Sequence, residues 1–486
     1  MNGGGDSAID LVALASESMR AKGFDPDFSA EVLSQSRSIS LQILPGTRDL
    51  RSLLWSSIDN DSSKDLDQVE YAEPAANGRI RLMIGIADVD AAVSRGTPID
   101  RHAADQTVSI YTHARVFPML PERLSNDLTS LNEGEERLAI VTDLMVESDG
   151  SCSSVELYPA RVFNHAKLTY NSVGPWLEGR AAAPAAVSRS QELERQVRLQ
   201  DDAAAALRQA RLRRGALQFE RSEAEIVVEN KRVKTFGVAR KNRAGELIED
   251  FMLAANQAMA RRFREMGVWS IRRVVKAPRR WDRIVAVAQA LGEKLPAQPD
   301  VTALSTFLTN RRQRNPAGYG DLSLSILKLL GPGEYAIEPP GDTEPDHFSL
   351  AALDYTHSTA PNRRFADVVT QRILKAALAG APPPYAEAEL DAIARNCTFK
   401  EDQARKVERL MDKRIAAMAL AGRVGQRFDG IITGVTPKGT FVRVTDPPAE
   451  GRLCEGEQGA DVGDRVTVRL LKADARLGFI DFARAG

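Results

Sequence analysis

The chain is nearly devoid of cysteine. Only Cys152, Cys397 and Cys454 occur in 486 residues, far apart. That spacing excludes a disulfide framework and a paired zinc motif, and it fits a reducing compartment. No apolar run reaches the roughly 18 residues that a membrane span needs. The start, Met1 to Asp6, lacks the basic and apolar segments of a secretory signal. A cytoplasmic protein with no membrane partner is expected. Internal repeats are also missing, and the net charge is only −1. With 43% apolar and 27% charged residues the composition is that of a soluble globular protein. The length calls for more than one core.

The small net charge conceals strong local asymmetry. Residues 208–283 carry 20 Lys or Arg against 9 Asp or Glu, a balance that can attract a polyanion or simply coat solvated helices. In the opposite sense, Asp59, Asp61, Asp65 and Asp67 fall within nine positions. Crowded carboxylates repel one another, and a hard divalent cation such as Mg²⁺ offsets that repulsion.

Residues 7–36 read as two short helices around Gly23-Phe24-Asp25-Pro26, either a helix-turn-helix hairpin or a helical extension packed on the main domain. Arg79 to Ala87 begins by alternating and becomes continuously apolar, as a strand entering a core does, and Asn77-Gly78 before it signals a tight turn. The aspartate cluster therefore lies in a loop before a hairpin. Residues 190–214, 244–266 and 386–424 have helical spacing. Beyond residue 424, glycine-punctuated strands at 428–435, 439–444 and 462–470 indicate a small barrel, with Gly434 and Gly439 at its bends.

The acidic loop admits a rival reading. Asp59, Asp61, Ser63, Asp65, Asp67 and Glu70 occupy positions 1, 3, 5, 7, 9 and 12 of a calcium-binding EF-hand loop. Lys64 stands where that loop needs glycine, and Pro74 with Asn77-Gly78 leaves no room for the exit helix. An acidic surface loop is the bland alternative. Distant residues favour the metal: Asp354 to Asp367 places Arg363 and Arg364 after Pro361, at the start of an expected helix. A guanidinium fork matches phosphate oxygens, and carboxylate-held metal facing an arginine suits phosphodiester cleavage.

These two segments resemble the ribonuclease II/ribonuclease R family and its RNB catalytic domain. Ser109 to Asn132, Arg214 to Phe219, Leu247 to Asn256 and Tyr355 to Phe365 match further signatures of that family in order, and the C-terminal strands resemble its S-one type RNA-binding barrel. The resemblance implies an α+β fold. A short N-terminal helical segment (1–48) would precede an RNB domain whose mixed sheet and helices form an RNA channel (49–424). A five-stranded OB barrel would follow (425–486). It also implies a monomeric, Mg²⁺-dependent (Mn²⁺ as alternative) processive 3′-to-5′ exoribonuclease that releases nucleoside 5′-monophosphates from single-stranded RNA. Carried over, Asp59, Asp65 and Asp67 would hold metal and water, with Gln68 at the fourth metal position. Arg363 would contact the scissile phosphate with Arg364 beside it, Tyr111 and Phe219 would clamp the bases, and Tyr170 and Glu249 would favour ribose.

Two departures accompany the resemblance. Gln68 stands where the family carries a fourth aspartate; its amide is a weaker ligand, for which Asp61 could compensate. This keeps alive a second expectation, an RNA-binding regulator on a disabled nuclease scaffold. Only about 48 residues precede the RNB-like region, where the family has cold-shock barrels. A differently lined entrance is expected, open to structured RNA with a 3′ overhang.

Overall fold

A computed structural model of the chain describes residues 10–219, 223–229, 232–239, 242–278, 280–341, 348, 354–437 and 439–485. Residues 7–9 of the expected N-terminal helices and residues 220–222, 230–231, 240–241 and 279 of the basic stretch lie outside the described residues.

A six-stranded mixed sheet organises the larger part of the molecule. Its order is Arg48–Asp49, Cys152–Thr169, Trp55–Asp59, Gln68–Pro74, Ile80–Ala87 and Glu136–Val146. The 18-residue strand Cys152–Thr169 pairs antiparallel with Glu136–Val146 along its first part and parallel with Trp55–Asp59 at its end, so the sheet curls back on itself. Both faces are covered, which is why Ile80–Ala87 reads as an apolar run rather than an alternating one. Leu82, Ile84 and Ile86 face one core with the helices Gln191–Arg213 and Arg243–Met266. Met83 and Ala87 face the other, with Trp55, Val69 and the helix Phe365–Leu378. Gly85 lies under the Trp55 ring, where a Cβ would come within 3.6 Å of it and 3.1 Å of Val69.

The 34-residue helix Glu387–Leu420 is the strut of the molecule. Cys397 joins the Trp55 core. Ala404, Val407, Met411 and Ile415 receive Leu11, Ala15, Met19 and Phe24 of the N-terminal segment. Ala416, Ala417 and Leu420 sit in the core of the C-terminal barrel. The N-terminal helices Leu11–Ala21 and Ala30–Arg37 begin at the capping side chains of Asp10 and Ser29.

The C-terminal strands Arg427–Thr436, Gly439–Thr445, Pro448–Glu455, Phe479–Arg484 and Arg465–Asp474 close into a five-stranded barrel. A bulge between Ile432 and Gly434 bends the first strand. The closure is tight at Gly451, whose Cβ would lie 2.6 Å from the Phe482 ring. The fold is therefore α+β with a terminal OB-type barrel, as the resemblance implies.

The basic stretch is less positive than its composition. Arg208 and Arg211 share the buried Asp250, Arg243 pairs with Asp201, Arg272 with Glu338, and Arg273 with Glu401. Much of the expected field is spent inside the fold, because these side chains lie where helices and strands pack and an unpaired charge would be costly.

Candidate active site

The acidic loop leaves the sheet at Asp59, the last residue of Trp55–Asp59, and returns at Gln68, the first of Gln68–Pro74. A strand stands where an EF-hand would place its exit helix. Ser130 clamps the loop from outside: its hydroxyl accepts from Leu66 N (2.9 Å) and donates to the Lys64 carbonyl (2.8 Å), while Leu131 N donates to the Leu66 carbonyl. Lys167 Nζ holds the Ser63 carbonyl at 2.6 Å.

The arginine loop meets this one directly. Asn362 N and Arg363 Nε donate to the two oxygens of Asp67, at 3.1 and 3.2 Å. Thr129 Oγ1 donates to Asn362 Oδ1 at 2.6 Å, and Ser109 N and Phe365 N bond the Arg363 and Thr107 carbonyls. Thus the run Ser109–Asn132, in which the sequence assigned a role to Tyr111 alone, joins the two loops. Thr129, Ser130 and Asn362 are positioning residues that sequence reasoning missed; their only signal was membership of the quoted runs.

Asp67 is 2% exposed. Burial pushes its carboxyl up to about 7 against the pull of Arg363, and the Asp65 charge adds to the rise. Asp65 accepts from the Tyr111 hydroxyl at 3.1 Å, and Tyr111 as a residue is 41% exposed. Asp59 Oδ1 accepts from Asn60 N and Ser63 Oγ. Tyr170, the first residue of the helix Tyr170–Leu177, has its hydroxyl pushed up by burial and by the charges of Asp59 and Glu70, with Arg363 opposing. Its carbonyl accepts from Asn242, the cap of Arg243–Met266. Asp59, Asp65, Asp67, Arg363, Tyr111 and Tyr170 are therefore brought together.

Other expected site residues are placed differently. Arg364 turns inward: its Nη2 pairs with the fully buried Asp367 at 2.7 Å and reaches Thr359. Phe219 packs on a separate core with Trp281, Phe307 and Tyr319. Glu249 is exposed on the helix Arg243–Met266, next to the buried Asp250. Gln68 is buried and donates its amide to the Ile58 carbonyl at 3.3 Å, so its side chain ties two strands together. Asp61 accepts from Asn171 at 2.6 Å, away from Gln68's bond.

Among the described residues, no three acidic, cysteine or histidine side chains converge closely enough to cage a metal ion. Asp67 instead pairs with Arg363, and Asp65 accepts from Tyr111. Asp59, Asp65 and Asp67 nonetheless share one loop, with the Asp65 charge bearing on Asp67. Such a loop fits Mg²⁺, which is held by one or two carboxylates plus water and substrate phosphate rather than by a full protein cage.

Residues 47–380 match the RNB domain and residues 426–485 the RNase II-type exonuclease C-terminal S1 domain. Ribonuclease R 1 of Lactococcus lactis subsp. lactis is 28% identical over 517 residues, an alignment that covers 98% of this chain and 61% of that protein. Ribonuclease R of Escherichia coli is 30% identical over 479 residues, covering 90% of this chain and 57% of that protein. The chain thus spans about three-fifths of the length of these relatives. In fold it resembles Mycoplasma genitalium RNase R, solved with ribose methylated single-stranded RNA, at TM-score 0.88 and 22% identity, over 98% of this chain and 78% of that one. With its sheet, acidic loop and arginine loop all inside the matched segment, the chain belongs to the RNB-domain family and ends in that family's S1-type barrel.

Proposed function

We propose that the protein is a processive, hydrolytic 3′-to-5′ exoribonuclease that uses Mg²⁺, with Mn²⁺ as the alternative ion, and acts on single-stranded 3′ ends in the cytoplasm. The observation that carries this reading is the Asp67–Arg363 pair. It uses only Nε of an arginine side chain that is 49% exposed, so both terminal nitrogens remain for phosphate oxygens.

A bound Mg²⁺ supplies Lewis-acid charge and a more acidic water. Asp59, Asp65 and Asp67 are the residues that would hold it and orient the water. The water oxygen bonds to phosphorus, the bond from phosphorus to the 3′-oxygen breaks, and that oxygen takes a proton to end the shortened chain. The released nucleotide keeps the phosphate on its 5′-oxygen. Arg363 offsets charge on the phosphoryl oxygens. Tyr111 would offer its ring to a base, and Tyr170 would hydrogen-bond the terminal ribose; a 2′-hydroxyl distinguishes RNA from DNA.

The test is 5′-labelled single-stranded RNA incubated with Mg²⁺, with and without chelator. A ladder shortening from the 3′ end and chelator-sensitive release of 5′-mononucleotide are expected. RNA binding with no product would favour the second reading, a regulator on an inactive RNB scaffold, which the neutral, strand-bonded Gln68 supports.

Stacking on an aromatic ring is worth about 1–3 kcal/mol per base. Tyr111→Ala is therefore expected to weaken single-stranded RNA binding by about 5- to 150-fold in fluorescence anisotropy, whereas Tyr111→Phe retains most of it. Unchanged affinity of the alanine variant would remove Tyr111 from the stacking role.

A further inference from the structure

We propose that a cleft on the helix-covered face of the large sheet is a phosphate-binding site, in which Arg214 and Arg261 grip a phosphate group remote from the bond that is cut. The inference goes beyond the catalytic reading, since holding an anion needs neither metal nor hydrolysis.

The basic stretch leads to the cleft. Of the Lys and Arg side chains described between residues 208 and 283, all but Arg214 and Arg261 have an acid or a carbonyl as partner. These two, far apart in sequence, line the same cleft. Its walls are the hairpin that joins Glu136–Val146 to Cys152–Thr169 and the helices Gln191–Arg213 and Arg243–Met266. It holds about 470 Å³ of space open to solvent. Residues three or four apart share a helix face, so Leu207, Arg211 and Arg214 line it from one helix and Asp250, Ala254, Ala258 and Arg261 from the other.

The walls are fixed to one another. Gly150 packs so closely that a Cβ there would run into the Ala206 carbonyl. Arg213 holds the Asp149 carbonyl, and Arg208 and Arg211 hold Asp250 across the two helices. Asp250, the acid in the lining, is thereby neutralised already. Arg214 and Arg261 both bear electrostatically on the Cys152 thiol, so their charges converge. Glu147 and Asp149 of the hairpin oppose them with smaller effect, and Glu147 lies 4.0 Å from Arg79. Two guanidiniums without a counter-charge, in a rigid cleft, match the oxygens of a phosphate.

The site is distant from the acidic loop. Asn242 bonds the Tyr170 carbonyl, and Arg261 lies about 28 Å further along the same helix at 1.5 Å per residue. A phosphate held there belongs to a nucleotide well upstream of one at Tyr170, or to a free ion. The strand is the source favoured by an RNB domain joined to an S1-type barrel.

The experiment is fluorescence anisotropy on the full-length chain, in chelator so that nothing is cut, with a labelled twenty-nucleotide RNA and a labelled tetranucleotide. Arg214→Gln/Arg261→Gln should lose about tenfold in affinity for the long strand. The slope of log affinity against log salt should flatten by about 0.7, the share of one single-strand phosphate. The tetranucleotide, too short to span from Tyr170 to the cleft, should bind as before. Arg262→Gln, which removes a neighbouring charge paired with Glu265, should change neither. Calorimetry with inorganic phosphate is the second arm: a double variant that loses phosphate binding tenfold yet holds the long strand normally would support the cleft with the free ion as its occupant. If the double variant does not fold, Arg261→Gln alone carries the test. Long strand and phosphate bound equally by wild type and variant, or a loss as large for the tetranucleotide or in Arg262→Gln, would overturn the inference.

Discussion

Asp67→Asn is expected to lower the single-turnover cleavage rate by about 10³-fold or more while leaving RNA affinity within a few-fold. The site places two burdens on this carboxylate. It accepts the Asn362 amide and the Arg363 guanidinium, which fixes the arginine loop against the acidic loop, and it contributes charge beside Asp65. Asparagine keeps an oxygen for the Asn362 amide but turns an NH₂ toward Arg363, so two donors face each other and the guanidinium swings free. The fold should tolerate the change. An acid whose folded-state pKa lies above its unfolded value costs stability as pH rises past the unfolded value; with Asp67 pushed from 3.8 to about 7, the neutral amide removes that cost at neutral pH. The checks are single-turnover kinetics and anisotropy on the same preparation. A wild-type rate would remove Asp67 from catalysis.

The chemistry of this site was legible in the sequence because its parts are short runs with unusual charge. Four aspartates in one loop and two arginines after Pro361 needed no tertiary knowledge to be noticed. Helices such as Gln191–Arg213 and Arg243–Met266 were legible because their apolar faces repeat at 3.6 residues. What stayed hidden depends on which way a side chain turns. Glu70 looked like the twelfth position of a calcium loop; only the register with Ser56 shows an acid buried inside the sheet. Arg363 and Arg364 are equivalent by composition, yet Arg363 ends a turn and Arg364 is extended, so one side chain goes to Asp67 and the other to Asp367. The basic stretch looked like a surface because the acids that neutralise it, Asp201, Glu338 and Glu401, are distant in sequence.

The inward turn of Arg364 predicts a large effect on stability at a residue that touches no substrate. Asp367→Ala is expected to cost about 3–5 kcal/mol in chemical denaturation, because breaking a buried pair leaves the surviving charge uncompensated. The Asp367 side chain is fully buried; its Oδ1 accepts from Arg364 Nη2 at 2.7 Å and from Ala360 N at 2.8 Å, so the alanine variant also orphans a backbone amide that shapes the loop before Arg363. Asp367→Asn, which keeps an acceptor for Ala360, should cost less. Arg364→Leu/Asp367→Asn should recover much of the loss, since replacing both charges removes the penalty that removing one creates. That double variant also separates two roles for Arg364. If it is stable and cleaves RNA at near wild-type rate, the guanidinium serves only to brace the loop that aims Arg363. If it is stable but binds RNA many-fold more weakly, Arg364 leaves Asp367 for a phosphate when RNA enters. A single Asp367→Ala variant as stable as wild type would contradict the buried pair itself.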